Sequence, residues 1–430
     1  MKTIKLNSDK LKMNLQNFAD TVVPLFELVT APAIATYWTE NPIEQAPYLG
    51  EVLFPPNKQM GMEITWFIGQ TGAPKALQPS ALGAAAIPRD RKDFEKLVTE
   101  MFFFRESKYI DEKLRQDLLM LMQTGNQEYI DNMLNKIFDD IKELVDAAGV
   151  QREIMRMQLL STGTIDVSGN GQNYGLDYGF NKEHKDHAKV SWTDYDKSDP
   201  VEDLELAMDK IEGDTGERPS RAILNSTTLR QLRNSKTIGL NLYPNGGGNI
   251  RVTKSDVIRY LADELQLEIV VYSKIYTDEN GASKKFFADN TVALLPGVAL
   301  GTQWFGTTPE EADLMSSNAA NVSIVDTGVA VTTIEKANPV TIDTVVSMMS
   351  LPSFEQIEKV FILNTIADPE KPEEPEDKPE GNGENTNTKS MTVPQLKAAL
   401  EEKGIEYSES DKKEDLLNLL NDAAKTDQEG

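Results

Sequence analysis

The sequence contains no cysteine and only two histidines. Without cysteine there are no disulfide bonds, no thiolate metal sites and no cysteine nucleophile. No apolar run approaches the roughly 20 residues that a membrane helix requires, and residues 1–20 lack the unbroken apolar core of a secretory signal. We therefore expect a soluble protein that is not exported by that route and has no membrane partner.

Basic residues are also scarce relative to acidic ones. The 430 residues include 44 lysines and arginines against 69 aspartates and glutamates, which gives a formal net charge of −25. DNA and anionic membranes repel such a chain, and this argues against a protein that reads nucleic acid. A protein shell that contains nucleic acid is compatible with this charge, because a surface that does not bind phosphates tightly lets the nucleic acid move in and out.

Residues 367–390 contain almost nothing apolar, but they hold four prolines and eight acidic residues. Such a stretch cannot bury enough surface to offset its ordering entropy. We expect an acidic, proline-rich linker that separates a body, residues 1–366, from a small C-terminal module.

The first part of the body has little helical periodicity. Residues 1–45 are interrupted by three prolines and resemble an arm. Residues 46–90 carry closely spaced glycines and prolines, and their best strand is Met62–Ile68. Because loops of this length inside a domain are usually functional or disordered, we interpret this segment as an extended loop.

Apolar residues at helical spacing follow from 126 to 160, and they predict one helix of about 50 Å. Gly149 is the position where this helix would bend or break. Residues 196–335 predict a mixed α/β unit, with helices that begin at Pro200, after Asn225, and at Thr253 or Ser255. Its predicted strands are Ala222–Leu224, Leu267–Tyr276, Lys284–Phe287 and Val292–Pro296, with a hairpin turn at Glu279–Gly281.

Three motifs have a chemical interpretation, and we favour a structural one for each. Val325–Gly328 resembles the catalytic loop of an aspartic protease, but such enzymes need two carboxylates that share a proton. The second copy, Asp214–Gly216, lacks flanking strands. We favour a turn between strands and keep a phage maturation protease that uses Asp326 as the alternative.

His184 and His187 have no clear third metal ligand, which favours a solvated loop. The glycine-rich stretches lack the strand, helix and lysine of a phosphate-binding loop. The sequence therefore predicts neither an enzyme nor a bound cofactor or metal.

Several segments together resemble the lambda-type major capsid proteins of tailed phages, the capsid protein E family with the HK97-like fold. The segments are Glu268–Ser273, the turn at Glu279–Gly281, Lys284–Asn290 with the strand after it, and Gly297–Leu314. The resemblance implies an α+β fold and a structural role. It also implies an N-terminal arm (1–45), an extended loop over a neighbouring subunit (46–90), a peripheral domain with a spine helix (91–195), an axial domain (196–335), a returning segment (336–366), the linker (367–390) and the C-terminal module (391–430).

The family further implies hexamers and pentamers of the chain itself, which form an icosahedral shell around double-stranded DNA without sequence-specific binding. A scaffolding protein, a portal and optionally a decoration protein are the other partners, and the location is the virion capsid, with assembly in the host cytoplasm. Large aromatic residues and a glycine loop are candidate subunit contacts. They are Trp66, Phe67, Phe102, Phe103, Phe104, Asn245, Gly246, Gly247 and Gly248.

The C-terminal module resembles the HeH (helix-extended loop-helix) motif, which is related to LEM and SAP modules. Thr392 is placed to cap its first helix, Gly404 ends that helix, and Lys412–Leu420 forms a second one. Residues 391–430 contain five basic and ten acidic residues, so we do not expect DNA binding. A displayed appendage is the favoured interpretation, and a solubilising tail is the alternative.

Overall fold

A computed structural model describes residues 29–40, 47–69, 94–124, 127–244, 252–278, 280–316 and 322–368. The helices are α1 (Ala31–Glu40), α2 (Leu49–Leu53), α3 (Glu112–Thr124), α4 (Gln127–Thr162), α5 (Pro200–Thr215), α6 (Ser226–Asn234), α7 (Lys236–Leu242), α8 (Lys254–Leu265) and α9 (Pro309–Ser316). The strands are β1 (Pro56–Lys58), β2 (Glu63–Gly69), β3 (Phe94–Glu100), β4 (Phe102–Ile110), β5 (Thr164–Gly169), β6 (Gln172–Asp177), β7 (Lys185–His187), β8 (Arg221–Leu224), β9 (Glu268–Val271), β10 (Ile275–Thr277), β11 (Ser283–Lys285), β12 (Thr291–Leu295), β13 (Gln303–Phe305), β14 (Val322–Asp326), β15 (Val329–Ala337), β16 (Val340–Pro352) and β17 (Phe361–Asn364).

A six-stranded sheet is built around the long strand β16. The strand order is β1-β13-β16-β15-β14, and β4 pairs with β16 on the same edge as β13. β15 and β16 form a long antiparallel hairpin in which Val331 lies opposite Val346. Val331, Val346 and Met348 lie on one face of the sheet and share a core cluster with the N-terminal half of α4, because successive strand side chains point to opposite faces. Residues 346–352 of β16 are buried on both faces.

A second, five-stranded sheet has the order β7-β17-β12-β8-β9. The helices α5 to α8 bury their apolar stripes with this sheet in a separate core cluster. The strands of residues 196–335 are divided between the two sheets, since β13, β14 and most of β15 lie in the six-stranded one. The domain boundaries proposed from the sequence stay predictions.

The predicted long helix is confirmed as α4, a continuous helix of 36 residues that we call the spine helix. It passes through Gly149 without a break and ends at Thr162, just before Gly163, whose φ of 77° is in the left-handed region that favours glycine. Its N-terminal half packs on the six-stranded sheet. Its C-terminal half shares a core cluster with residues of β8 and β12, so the spine helix contacts both sheets.

Helix starts in the α/β region agree with the sequence patterns. The side chain of Asp199 accepts hydrogen bonds at the start of α5, Asn225 does so for α6, and Thr253 opens α8 in a capping box with Asp256. The predicted hairpin is also confirmed, with β10 and β11 joined through Gly281 at a φ of 77°.

Residues 31–40 form α1, with Pro32 in the first turn where proline is tolerated, and the arm proposed for residues 1–45 stays a prediction. One expectation was wrong. The predicted strand Leu267–Tyr276 is broken into β9 and β10, because the side chains between them leave the sheet. The hydroxyl of Tyr272 turns to a buried carboxylate of α4, and the ammonium of Lys274 lies 4.6 Å from the ring centre of Tyr48.

Replacement of Gly149 by alanine is expected to raise the stability of the subunit by about 0.5–1 kcal/mol, because alanine is favoured over glycine inside a helix. An added Cβ would lie 3.5 Å from the Arg152 side chain and 3.6 Å from Tyr48, which are ordinary contacts. The control is Gly163→Ala, where the positive φ and a Cβ position 2.8 Å from Phe180 predict a loss of stability. Thermal unfolding midpoints should therefore move in opposite directions.

Candidate assembly interface

The antiparallel pair β2 and β3, which we call the extended hairpin, begins two residues after Gly61, and its Ile64 and Trp66 pack in a core cluster of the body. Backbone bonds fix its base, since Met101 N–H donates to Met62 O (2.8 Å) and Thr307 N–H donates to Gly61 O (3.1 Å). Gly61 has a φ of 101°, a conformation that other residues rarely adopt. Met60 and Met62 beside it are 82% and 57% exposed, so the hairpin base presents apolar surface to solvent.

The aromatic candidates for subunit contacts whose side chains are described fall into two groups, those buried in the core of this chain and those that are only half-buried. Trp66 packs against Tyr178 with ring centres 5.7 Å apart, and Phe102 stacks on Tyr174 at 4.8 Å. Both are buried in the core of this chain. Phe103 and Phe104 are half-buried, so they retain surface that a neighbouring subunit could cover.

Five of the candidates are not settled by this geometry. Phe67 lies in β2, but its side chain is outside the described residues. Residues 245–248, with Asn245, Gly246, Gly247 and Gly248, also lie outside them, in the stretch of chain between α7 and α8. Their role in subunit contacts stays a prediction.

The interior of the subunit holds a charged pair on the spine helix. Glu153 is 0% exposed and Arg156 is 2% exposed, and their nearest charged atoms are 3.5 Å apart. Ions are removed from water at a cost of several kcal/mol each unless other groups satisfy them. The surroundings of this pair therefore determine whether the core can form.

Groups from three other parts of the fold bond to Glu153 Oε1 and Arg156 Nε, while Glu153 Oε2 and Arg156 Nη1 lie 3.5 Å apart with no hydrogen-bond partner among the described residues. Glu153 accepts hydrogen bonds from the Tyr272 hydroxyl (2.7 Å) and from Gly50 N–H (3.2 Å). Arg156 Nε donates to Gln303 Oε1 (2.9 Å), and Gln303 Nε2 donates in turn to Ser350 Oγ (2.7 Å). The chain thus brings α2, the residue after β9, and the strands β13 and β16 to one point on the spine helix.

Burial changes the acidity of these groups. It raises the pKa of the Glu153 carboxyl, although the hydrogen bond from Tyr272 and the charge of Arg156 oppose that shift. Burial also lowers the pKa of the Arg156 guanidinium to about 10, so it remains protonated at neutral pH. Desolvation followed by the negative charge of Glu153 raises the pKa of the Tyr272 hydroxyl, which keeps it a hydrogen-bond donor.

Sequence reasoning missed this pair because a charged residue on a helix is usually exposed. A signal does exist in the run from Val150 to Leu160. Here Ile154, Met155, Met157 and the leucines at 159 and 160 occupy more than one face of the helix. A helix with apolar residues on most sides is buried, and charged side chains inside it must be paired.

The two aspartates of the protease hypothesis lie in different parts of the fold. Asp326 ends β14 in the six-stranded sheet and accepts a bond of 2.8 Å from Arg152. Asp214 lies near the C-terminal end of α5, which packs with the five-stranded sheet, and its carboxylate is 2.9 Å from His184 Nε2. The turn interpretation of Val325–Gly328 is confirmed, because Thr327 and Gly328 form the turn that joins the antiparallel strands β14 and β15. Phe305 lies where a Cβ on Gly328 would be.

The expectation of a solvated loop at the histidines was wrong for His184. Its ring is 2% exposed and lies near Phe361, because it is packed under α5, where Asp214 can accept its hydrogen bond. His187 is exposed, and its Nδ1 is 2.9 Å from Ile366 O. Within the described ranges, no three His, Asp or Glu side chains form a group that could hold a metal ion. None of the helices in that part of the chain has the length and apolar character needed to span a bilayer.

Glu153→Gln is expected to destabilise the subunit by about 3–5 kcal/mol, because it leaves the buried charge of Arg156 without a counter-charge. The matched control is Glu143→Gln on the same helix, which removes an exposed ion pair with Lys108 and should cost about 0–1 kcal/mol. Denaturant unfolding of both variants measures the difference, and equal midpoints would contradict the role given to Glu153.

Comparison with known proteins identifies the family. The family model described as phage major capsid protein E matches residues 30–365, more than half of the chain. A HeH/LEM domain model matches residues 388–422. No curated protein matches the sequence significantly.

A solved structure with a TM-score above 0.5 adds the fold. A prophage protein from Escherichia coli CFT073, named as a capsid protein, is 15% identical with a TM-score of 0.51, over 79% of this chain and 99% of its own. A phage-related protein from Bordetella bronchiseptica RB50 is 15% identical with a TM-score of 0.47, over 79% and 99%. The capsid of cyanophage A-1(L) is 10% identical with a TM-score of 0.44, over 76% and 96%. The chain belongs to the phage major capsid protein E family and is a major capsid protein with the HK97-like fold.

Proposed function

We propose that the subunit forms hexamers and pentamers that close into an icosahedral shell around packaged double-stranded DNA. The observation that carries this proposal is the exposed apolar surface of Met60 and Met62 at the base of the extended hairpin. An exposed patch that meets a different surface on the next copy makes a heterologous contact, and such contacts repeat around rings. Many modest contacts of this kind add to a stable shell.

The roles of the segments follow the same proposal. Residues 1–45 act as an arm, 46–90 as the loop over the neighbour, 91–195 as the peripheral domain, 196–335 as the axial domain and 336–366 as the segment that closes the body. The net charge of −25 supports the proposal that the shell encloses DNA without sequence-specific binding. A scaffolding protein, a portal and optionally a decoration protein are the proposed partners, with assembly in the host cytoplasm before the shell becomes part of the virion.

Expression of the protein, alone and with a scaffolding protein from a phage of the same capsid family, tests the proposal by negative-stain microscopy. Closed particles in the megadalton range are the expected result, because ring contacts that close leave no free edge. Monomers or small rings under all conditions, including with the scaffold, would contradict shell formation.

The linker 367–390 and the HeH-like module 391–430 are proposed as a tethered appendage that assembly does not require. Residues as far as Ala367 belong to the body, since Ala367 N–H donates to Ser191 Oγ (2.9 Å). Truncation after Asp368 should therefore leave particle formation unchanged. Loss of particles in the truncated protein, with the subunit still folded, would show that the tail takes part in assembly.

We also propose that the protein has no catalytic activity. Asp326→Asn should leave the masses of co-expressed scaffold fragments unchanged, because the native carboxylate is held by Arg152 rather than by a second carboxyl group. Mass spectrometry of the assembled particles measures this. Scaffold cleavage in the wild type that the Asn variant lacks would establish the protease alternative.

A further inference from the structure

The buried pair Glu153 and Arg156 needs a reason beyond stability. Apolar side chains of similar size often stabilise a core as well as a buried ion pair does, or better. Both side chains are 2% exposed or less, and they lie within an otherwise apolar cluster that joins the spine helix to residues of both sheets. A purely apolar cluster would have filled this space without the desolvation cost.

Compared with an apolar cluster, the pair adds hydrogen bonds whose strength depends on the angle between the bonded groups. Apolar contacts depend on area and tolerate sliding, whereas hydrogen bonds weaken steeply when their angles change. The hydroxyl of Tyr272, the residue that follows β9 of the five-stranded sheet, donates to Glu153, and Arg156 donates to Gln303 of β13 in the six-stranded sheet. The two sheets are therefore held at one angle through two neighbouring side chains of a single helix.

The same carboxylate also holds the chain that leads to the extended hairpin. Gly50 N–H donates to Glu153, and α2 continues into β1 and then into β2. A side chain at position 50 does not fit, because its Cβ would lie 2.4 Å from Glu153 Oε2 and 2.5 Å from Arg156 Cδ. The segment that leads into the hairpin is therefore anchored on Glu153, the same residue through which the spine helix is bonded to Tyr272.

We propose that Glu153 and Arg156 are positioning residues for assembly, which fix the angle between the two sheets and the direction of the extended hairpin, and so set the diameter of the particle. This inference rests on the proposed closure into a shell. Small angular differences between subunits change the curvature of a closed surface, so a subunit with a loose angle yields particles of several sizes.

The angle is measured on the subunit itself. The chain has no cysteine, so Leu206→Cys on α5 and Tyr109→Cys on β4, which are 46% and 69% exposed, accept spin labels without background. Pulsed electron spin resonance should give one narrow distance in this labelled background. The same labels with Glu153→Met and Arg156→Met should give a broadened or shifted distribution, while the protein remains folded by circular dichroism.

The matched control is Lys108→Met with Glu143→Met, which removes an exposed ion pair that joins β4 to the spine helix. Its distance distribution and particle diameter should equal those of the wild type. If the Glu153 and Arg156 double variant does not fold, Tyr272→Phe takes its place, since it keeps both charges and removes one directional bond. It should shift the distribution in the same sense.

Particle diameter is then measured by electron microscopy for the same set of variants, and the double variant should give several diameters or open sheets where the control gives one. An unchanged distance distribution, or shells of unchanged single diameter, overturns the inference. If the wild type forms no shells, it is the proposed closure that fails. The spin-label distances then decide whether the pair fixes the angle.

Discussion

The removal of two opposite charges from water at the middle of the spine helix constrains most of this fold. Glu153 and Arg156 remain charged inside the core only when donors and acceptors surround them. Those groups come from α2, from the residue after β9 and from β13, so three distant parts of the chain must arrive together. The absence of a side chain at Gly50 is part of the same constraint, because the helix could not approach otherwise.

Long-range pairing is the second organising property. β1 pairs with β13, β4 with β16, and β7 with β17, so each of the two larger sheets joins segments that lie far apart in the sequence. Such topologies fold slowly, because loop closure must precede the contacts that stabilise it. The spine helix, whose hydrogen bonds are local, gives these strands a surface on which to meet.

Local signals made part of this structure predictable. The caps at Asp199, Asn225 and Thr253, the period of the spine helix and the glycine hairpin depend on neighbours in sequence, and the structure has each of them. The division of the strands between two sheets depends on partners more than a hundred residues away, and no pattern along the chain encodes it. The residues of the candidate interface could be predicted only in part for the same reason, since Trp66 and Phe102 pack on aromatic residues of their own chain.

The attachment of the tail has a mechanical consequence. The chain leaves the body just after β17, which is bonded to β12 on one side and to β7 on the other. Further bonds from Ala367 to Ser191 and from His187 to Ile366 hold the point of exit. A pull on the tail in line with β17 therefore loads these bonds in shear, where many must break at once, rather than one after another as in peeling. A load applied to the tail therefore passes into the body through β17.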